Sequence, residues 1–268
     1  MSKPTAPPHS ERRPVAYLND KFLNSPDARA LRILSEFLEP MAHFRRERVR
    51  DTVVFFGSAR IIEGDGEMAR YYDEARTLAR MLTEWSSQFT NNTYRFVVCS
   101  GGGPGIMEAA NRGAADADGK TVGLNIGLPF EQFPNPYITP DLSFEFHYFF
   151  MRKFWFAYLA KALVVFPGGY GTLDEMMEIL TLTQTQKLAK KMTVLIYGSE
   201  YWNKIINFQA FVDAGAVSPE DLQLFKIVDS PEDAFEFLRD GLTKYHLGGP
   251  PKKEKEREVT PEIAKTRP

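Results

Sequence analysis

The chain has 268 residues, of which 43% are hydrophobic and 25% charged, and its formal net charge is -2. This is the composition of a soluble globular protein with one medium domain or two small ones, and the near-neutral charge supplies no global field for nucleic acid or an anionic membrane. Cys99 is the only cysteine, which excludes an intrachain disulfide and fits a reducing, cytoplasmic compartment.

The first twenty residues carry Pro4, Pro7, Pro8 and Pro14 among polar groups and contain no apolar run, so no secretory signal is expected. Ser25-Pro26 reads as an N-cap followed by proline in a first helical turn. Leu31, Leu34, Phe37, Leu38 and Met41 then recur at helical spacing, giving an apolar face that needs the main domain or a second subunit to cover it. Arg45, Arg46, Arg48 and Arg50 follow and read as a solvated linker, so residues 1–48 form an N-terminal segment and helical extension.

From Thr52 the pattern changes. Short β-rich runs at 53–57, 95–99, 121–126, 162–166, 193–197 and 225–229 are continuously apolar, as expected of strands covered on both faces. Helical stretches at about 67–84, 105–117, 149–160, 172–188, 201–213 and 231–245 lie between most of them. This alternation predicts an α/β fold, a doubly wound, mainly parallel Rossmann-like sheet spanning residues 49–247. Residues 248–268, with turn formers and alternating charges, read as a tail without core residues. The longest apolar stretch, 154–166, is too short to cross a bilayer and is interrupted by Lys161, so no membrane association is expected.

Ligands of such sheets bind beyond the carboxyl ends of the strands. Two predicted strands end there in glycine turns that lead straight into helices. The first is Ser100-Gly101-Gly102-Gly103-Pro104-Gly105-Ile106-Met107 and the second Pro167-Gly168-Gly169-Tyr170-Gly171-Thr172. Turns without Cβ atoms let the backbone approach a ligand, and the free amides of a following helix favour an anion. Neither turn is a Walker loop, and the first lacks the dinucleotide pattern, with Asn125 where a ribose-binding acid is expected. A mononucleotide fits better than NAD. A third turn places Ser58 at the end of the first strand, either as a ligand contact or as a plain turn serine.

Between the glycine turns, Arg152 and Lys153 open an apolar helix. Cations are disfavoured at a helix N-terminus, so they call for an anion, either a structural carboxylate or a bound ligand. Asp174 and Glu175 follow Thr172 closely, and a carboxylate there would lie near the ligand's sugar. At about 4 Å an Arg152–Glu175 attraction of order 4 kcal/mol would hold the carboxylate ionised. His9, His43, His147 and His246 show no metal spacing, and no lysine has the surroundings of a pyridoxal phosphate site. Neither metal nor cofactor is expected.

These residues resemble the LONELY GUY family of cytokinin riboside 5′-monophosphate phosphoribohydrolases, long labelled lysine decarboxylases. The family pattern Pro-Gly-Gly-x-Gly-Thr-x-x-Glu is met from Pro167 to Glu175, the Arg-Lys pair by Arg152-Lys153, and the methionine-ending glycine turn by Gly101–Met107. The resemblance runs from about Val53 to Ile227 and implies hydrolysis of the base–ribose bond of a nucleoside 5′-monophosphate such as AMP. It implies Arg152 and Glu175 as the catalytic pair. It further implies that Gly169 to Thr172 hold phosphate, that Thr181 lines the nucleotide site, and that Glu131 matches a family glutamate on the substrate. The extended N-terminal helix and the segment 135–138 look like the long bacterial form. A homodimer through the Phe149–Tyr158 helix is expected, with higher assembly open. The rival reading is a non-catalytic carrier of a phosphorylated, nucleotide-like cofactor. Retention of the Arg152–Glu175 pair favours the enzyme.

Overall fold

A computed structural model describes residues 13–64, 66–89, 92–127 and 133–248. In chain order its main elements are α1 (Asp20–Leu23), α2 (Arg29–Arg46), β1 (Thr52–Phe56), α3 (Arg70–Ser87), β2 (Val97–Ser100), α4 (Ile106–Asp116) and β3 (Thr121–Ile126). There follow β4 (Ser143–Phe146), α5 (Phe149–Leu159), β5 (Ala160–Val165), α6 (Tyr170–Gln184) and β6 (Thr193–Tyr197). The chain closes with α7 (Ser199–Ile205), α8 (Phe208–Asp213), β7 (Phe225–Val228) and α9 (Pro231–Leu242).

The strands form one sheet in the order β4-β3-β2-β1-β5-β6-β7. Every pairing is parallel, with Val54 of β1 opposite Cys99 of β2 and Leu163 of β5. Alternate residues feed two cores. Val54 and Phe56 join Phe44, Trp155, Phe156 and Met176 on one face, whereas Val53 and Phe55 join Tyr72, Leu78, Ala109 and Leu238 on the other. Both faces are therefore buried, which is why the central strands are apolar without alternation. The expected α/β doubly wound class holds.

Two local expectations change. The 201–213 stretch is two helices, because Asn207 breaks it and caps α8, its side chain accepting from the Ala210 amide. A seventh strand, β4, extends the sheet beyond β3 and pairs Asn125 with Glu145. Its residues alternate exposed and buried, the pattern of a strand with one wet face.

The N-terminal helix α2 does pack on this domain, through Ile33, Phe37 and Met41. It also runs through Arg45 and Arg46, so the basic run begins inside the helix rather than in a linker. Leu31, Leu34 and Leu38 stay exposed on its outer side. Glu36 ties α2 to the start of α5: its carboxylate accepts the amides of His147 (2.8 Å) and Tyr148 (3.2 Å), and its carbonyl accepts Trp155 Nε1 (2.9 Å). At the opposite rim of the sheet, lysines close helix C-termini. Lys190 donates to the carbonyls of Ala157 and Tyr158 at the end of α5, and Lys120 to that of Glu47 after α2.

Among the described residues no helix is long and apolar enough to cross a membrane.

Candidate active site

The strand order reverses around β1, whose neighbours are β2 and β5. A doubly wound sheet opens a crevice at such a switch point. The two strands that end in glycine turns therefore flank the same central strand, and the β1 turn joins them. The Ser58 amide donates to Pro167 O (2.9 Å), and Ser58 O accepts the Ile106 amide (3.1 Å). Ser58 Oγ accepts the Arg60 amide at 3.1 Å, so its sequence-level alternative, a turn serine, is realised and its own proton remains to donate.

The glycines divide into two kinds. Gly105 has φ +71°, and a Cβ there would run into the Ala59 backbone at 2.7–2.8 Å, so the chain itself requires glycine. Gly102 has φ +76° and lies against the Asn125 amide, while Gly101 lies over Met107 Sδ. Gly168 packs on the Thr172 side chain. Gly169 and Gly171 differ: neither has positive φ, and a Cβ on either would meet nothing within 4 Å among the described residues. The fold does not need glycine at these two positions. Open space beside an amide-bearing helix N-terminus does, if a ligand is to fill it.

Helix α6 starts at this turn, with Tyr170 at 93% exposure and Thr172 buried. Glu175 follows on the inner face at 3% exposure. Arg152, in the first turn of α5, brings its Nη2 to 3.6 Å from Glu175 Oε1. The guanidinium lies over the rings of Phe149 (5.2 Å) and Phe156 (5.5 Å). The pair is incompletely satisfied: Glu175 Oε1 and Arg152 Nε are buried without hydrogen-bond partners. Burial pushes the Glu175 carboxyl up to about 7, even though Arg152 and Lys153 pull it down. Burial likewise pushes the Arg152 guanidinium down against the attraction of Glu175, Asp174 and Glu145. The expected ionised carboxylate is thus not held by Arg152 alone, because desolvation outweighs an attraction at 3.6 Å.

Lys153 takes the other course open to it. Its ammonium bonds Asp174 Oδ2 (2.7 Å) and Glu178 Oε2 (2.9 Å), which is the structural ion pair. Lys153, Asp174, Glu178 and Thr181, together with Leu173 and Met177, line an open groove of about 520 Å³ along α6. Thr181 lies nine residues beyond Thr172, about 13 Å along the helix, so the two hydroxyls stand well apart. Its Oγ1 donates to Met177 O (2.7 Å).

The structure thus gathers Arg152, Lys153, Gly168–Thr172, Asp174 and Glu175 at one end of the sheet, with Ser58 and Gly101–Met107 beside them. Glu131 lies outside the described residues. Glu145, on the unforeseen strand β4, adds a carboxyl whose charge reaches Arg152. Its only signal in the sequence is the alternation of residues 143–146. Cys99 is buried and its thiol is pushed far above the usual range by desolvation, which makes it a core residue. Among the described residues no three His, Cys, Asp or Glu side chains gather as metal ligands.

A family model described as "Possible lysine decarboxylase" matches residues 107–238. The cytokinin riboside 5′-monophosphate phosphoribohydrolase LOG of Oryza sativa subsp. japonica is 27% identical over 209 residues, covering 76% of this chain and 78% of the relative. LOG2 of Arabidopsis thaliana, with the same activity in its name, is 23% identical over 202 residues, covering 75% and 87%. Among solved structures, a molybdenum cofactor binding protein from Rippkaea orientalis overlays with a TM-score of 0.48 at 18% identity, covering 71% of this chain and 97% of that one. On the family model and these relatives, the chain is similar to the LONELY GUY family, whose older description is lysine decarboxylase-like.

Proposed function

We propose that this protein hydrolyses the N-glycosidic bond of a nucleoside 5′-monophosphate, AMP or a cytokinin riboside 5′-monophosphate, to free base and ribose 5-phosphate. One observation carries the reading. A buried, unsatisfied Arg152–Glu175 pair stands beside the start of α6, where an added side-chain carbon on Gly169 or Gly171 would meet nothing within 4 Å. The amides of residues 169–172 and the Thr172 hydroxyl hold the phosphate. That remote grip fixes the ribose over Glu175. As the base departs, C1′ gains oxocarbenium character, and the ionised Glu175 faces the growing positive charge. Water adds to C1′, and its proton leaves with the base or solvent. A carboxyl poised near neutrality is suited to that exchange. Arg152 orients Glu175 and the sugar.

The direct test is incubation with AMP followed by chromatography. Free adenine and ribose 5-phosphate support the enzyme. Saturable AMP binding without products supports the carrier reading instead. A lysine decarboxylase would show the absorbance of an internal aldimine with added pyridoxal phosphate, and none is expected.

The same reading includes a homodimer. Phe149, Phe150, Phe154 and Tyr158 are 37–55% exposed along α5, and α2, whose Phe37 ring lies 5.6 Å from that of Phe154, leaves Leu31, Leu34 and Leu38 exposed as well. An apolar surface of this kind supports self-association.

A further inference from the structure

Asn135 has no role in the site as described so far, yet it is 6% exposed in a connecting segment and its amide is fully engaged. Its Nδ2 donates toward Gly102 O (3.1 Å), Gly103 O (3.1 Å) and Asn111 Oδ1 (2.9 Å), and its backbone amide also donates to Gly102 O (2.8 Å). The amide orientation is dictated, because a flipped oxygen would face three acceptors. Its Oδ1 accepts the Tyr137 amide at 3.2 Å. The ring of bonds closes through Asn111. Ser100 Oγ donates to Asn111 Oδ1 (2.6 Å), and the Gly102 amide donates to Ser100 Oγ (3.0 Å). Asn111 Nδ2 is spent on Val122 O (3.2 Å).

The consequence lies in which groups this ring consumes. It takes both carbonyls of Gly102 and Gly103 and the Gly102 amide, all on the buried side of the first glycine turn. The Gly103 and Gly105 amides find no partner among the described residues.

We propose that Asn135 is a positioning residue that sets the first glycine turn, drawing its carbonyls inward so that its remaining amides face the nucleotide. The inference rests on the nucleotide reading above and adds a residue that does not touch the ligand. A carbonyl turned toward a phosphorylated ligand would repel it, so release of the turn weakens binding without altering the reacting groups.

Two variants and one measurement on the unaltered protein test it. Asn135→Asp keeps the shape of the side chain but replaces the donor by an acceptor facing carbonyls; Asn135→Ala removes the donor. With AMP, both are expected to raise KM about 10-fold or more, Asp at least as much as Ala, with kcat within about 3-fold of the parent. A packing role predicts the reverse order, with Asp close to parent; that order, or an unchanged KM in folded Asn135→Asp, overturns the proposal. Should neither variant fold, amide hydrogen exchange on the parent decides. Without ligand the Gly102 amide is expected to exchange at least 10-fold more slowly than those of Gly103 and Gly105, and AMP slows the latter two. Equal, fast exchange at all three overturns the proposal. Slow exchange at Gly102 with no response to AMP at Gly103 and Gly105 overturns the ligand-facing part. Absence of any AMP binding by the parent is a failure of the nucleotide reading and is visible separately.

Discussion

At the scale of single residues, Glu175 carries opposite demands from stability and from chemistry. Its carboxyl titrates near 7 in the fold against 4.5 as an unperturbed group. The folded state therefore holds a proton between these values that the unfolded chain has lost, and stability falls as pH rises through that window. Glu175→Gln removes this burden. The stability difference, variant minus parent, is expected to grow by roughly 3 kcal/mol between pH 4.5 and 7 and to level off above. Denaturant melts at half-unit pH steps check the slope; a flat difference means Glu175 titrates normally. The same variant is expected to lower turnover of AMP about 10²–10³-fold. Gly171 offers the converse separation. Alanine there suits the helix and clashes with nothing described, so Gly171→Ala is expected to raise stability by about 0.5–1 kcal/mol while raising KM for AMP at least 10-fold. A melt and a KM from one preparation suffice, and an unchanged KM shows that the open space is not ligand space.

At the scale of elements, α5 illustrates what a sequence can and cannot disclose. The Arg152-Lys153 pair at a helix start called for an anion, and the answers, Glu175 for Arg152 and Asp174 with Glu178 for Lys153, lie on α6. A separate carboxylate, Glu36, braces the entry to the helix by accepting the amides of His147 and Tyr148, from an element more than a hundred residues earlier. Spacing along one helix could reveal Glu175 but not Glu36, whose partner is fixed only by tertiary packing. Glu36→Ala is expected to cost about 1 kcal/mol, as for the loss of an N-cap, and Glu36→Gln distinctly less because its carbonyl oxygen still accepts. Equal losses in thermal melts of the two variants rule out the brace. Strand β4 escapes for a different reason: it is a four-residue edge strand with one wet face, and it follows a proline-rich connection. The other strands are legible because each carries a dense apolar run, as in Thr52–Phe56 and Thr193–Tyr197, both buried along their whole length. Asn135 was visible only as a feature of the long form, since a buried amide and a loop amide look alike in sequence.

For the molecule as a whole, the all-parallel sheet puts the glycine turns and the Arg152–Glu175 pair on one rim and the lysine-closed helix ends on the other. The exposed aromatic side of α5 runs along the helix that also carries Arg152, so the proposed assembly and catalysis would share a helix. Replacing Phe154 (37% exposed) by Glu is expected to shift light-scattering mass toward a monomer. An unchanged mass assigns association, if any, to another face.

Ser58, bonded on one side to the Pro167 carbonyl and on the other to the Ile106 amide, makes the crevice a caliper of fixed width. Its two jaws are riveted to a common strand, and spreading one drags the other. If the crevice holds the proposed nucleotide, a bulkier base gains no room by parting them, and tolerance for different bases falls to the open flank of α6, where the walls are side chains rather than backbone.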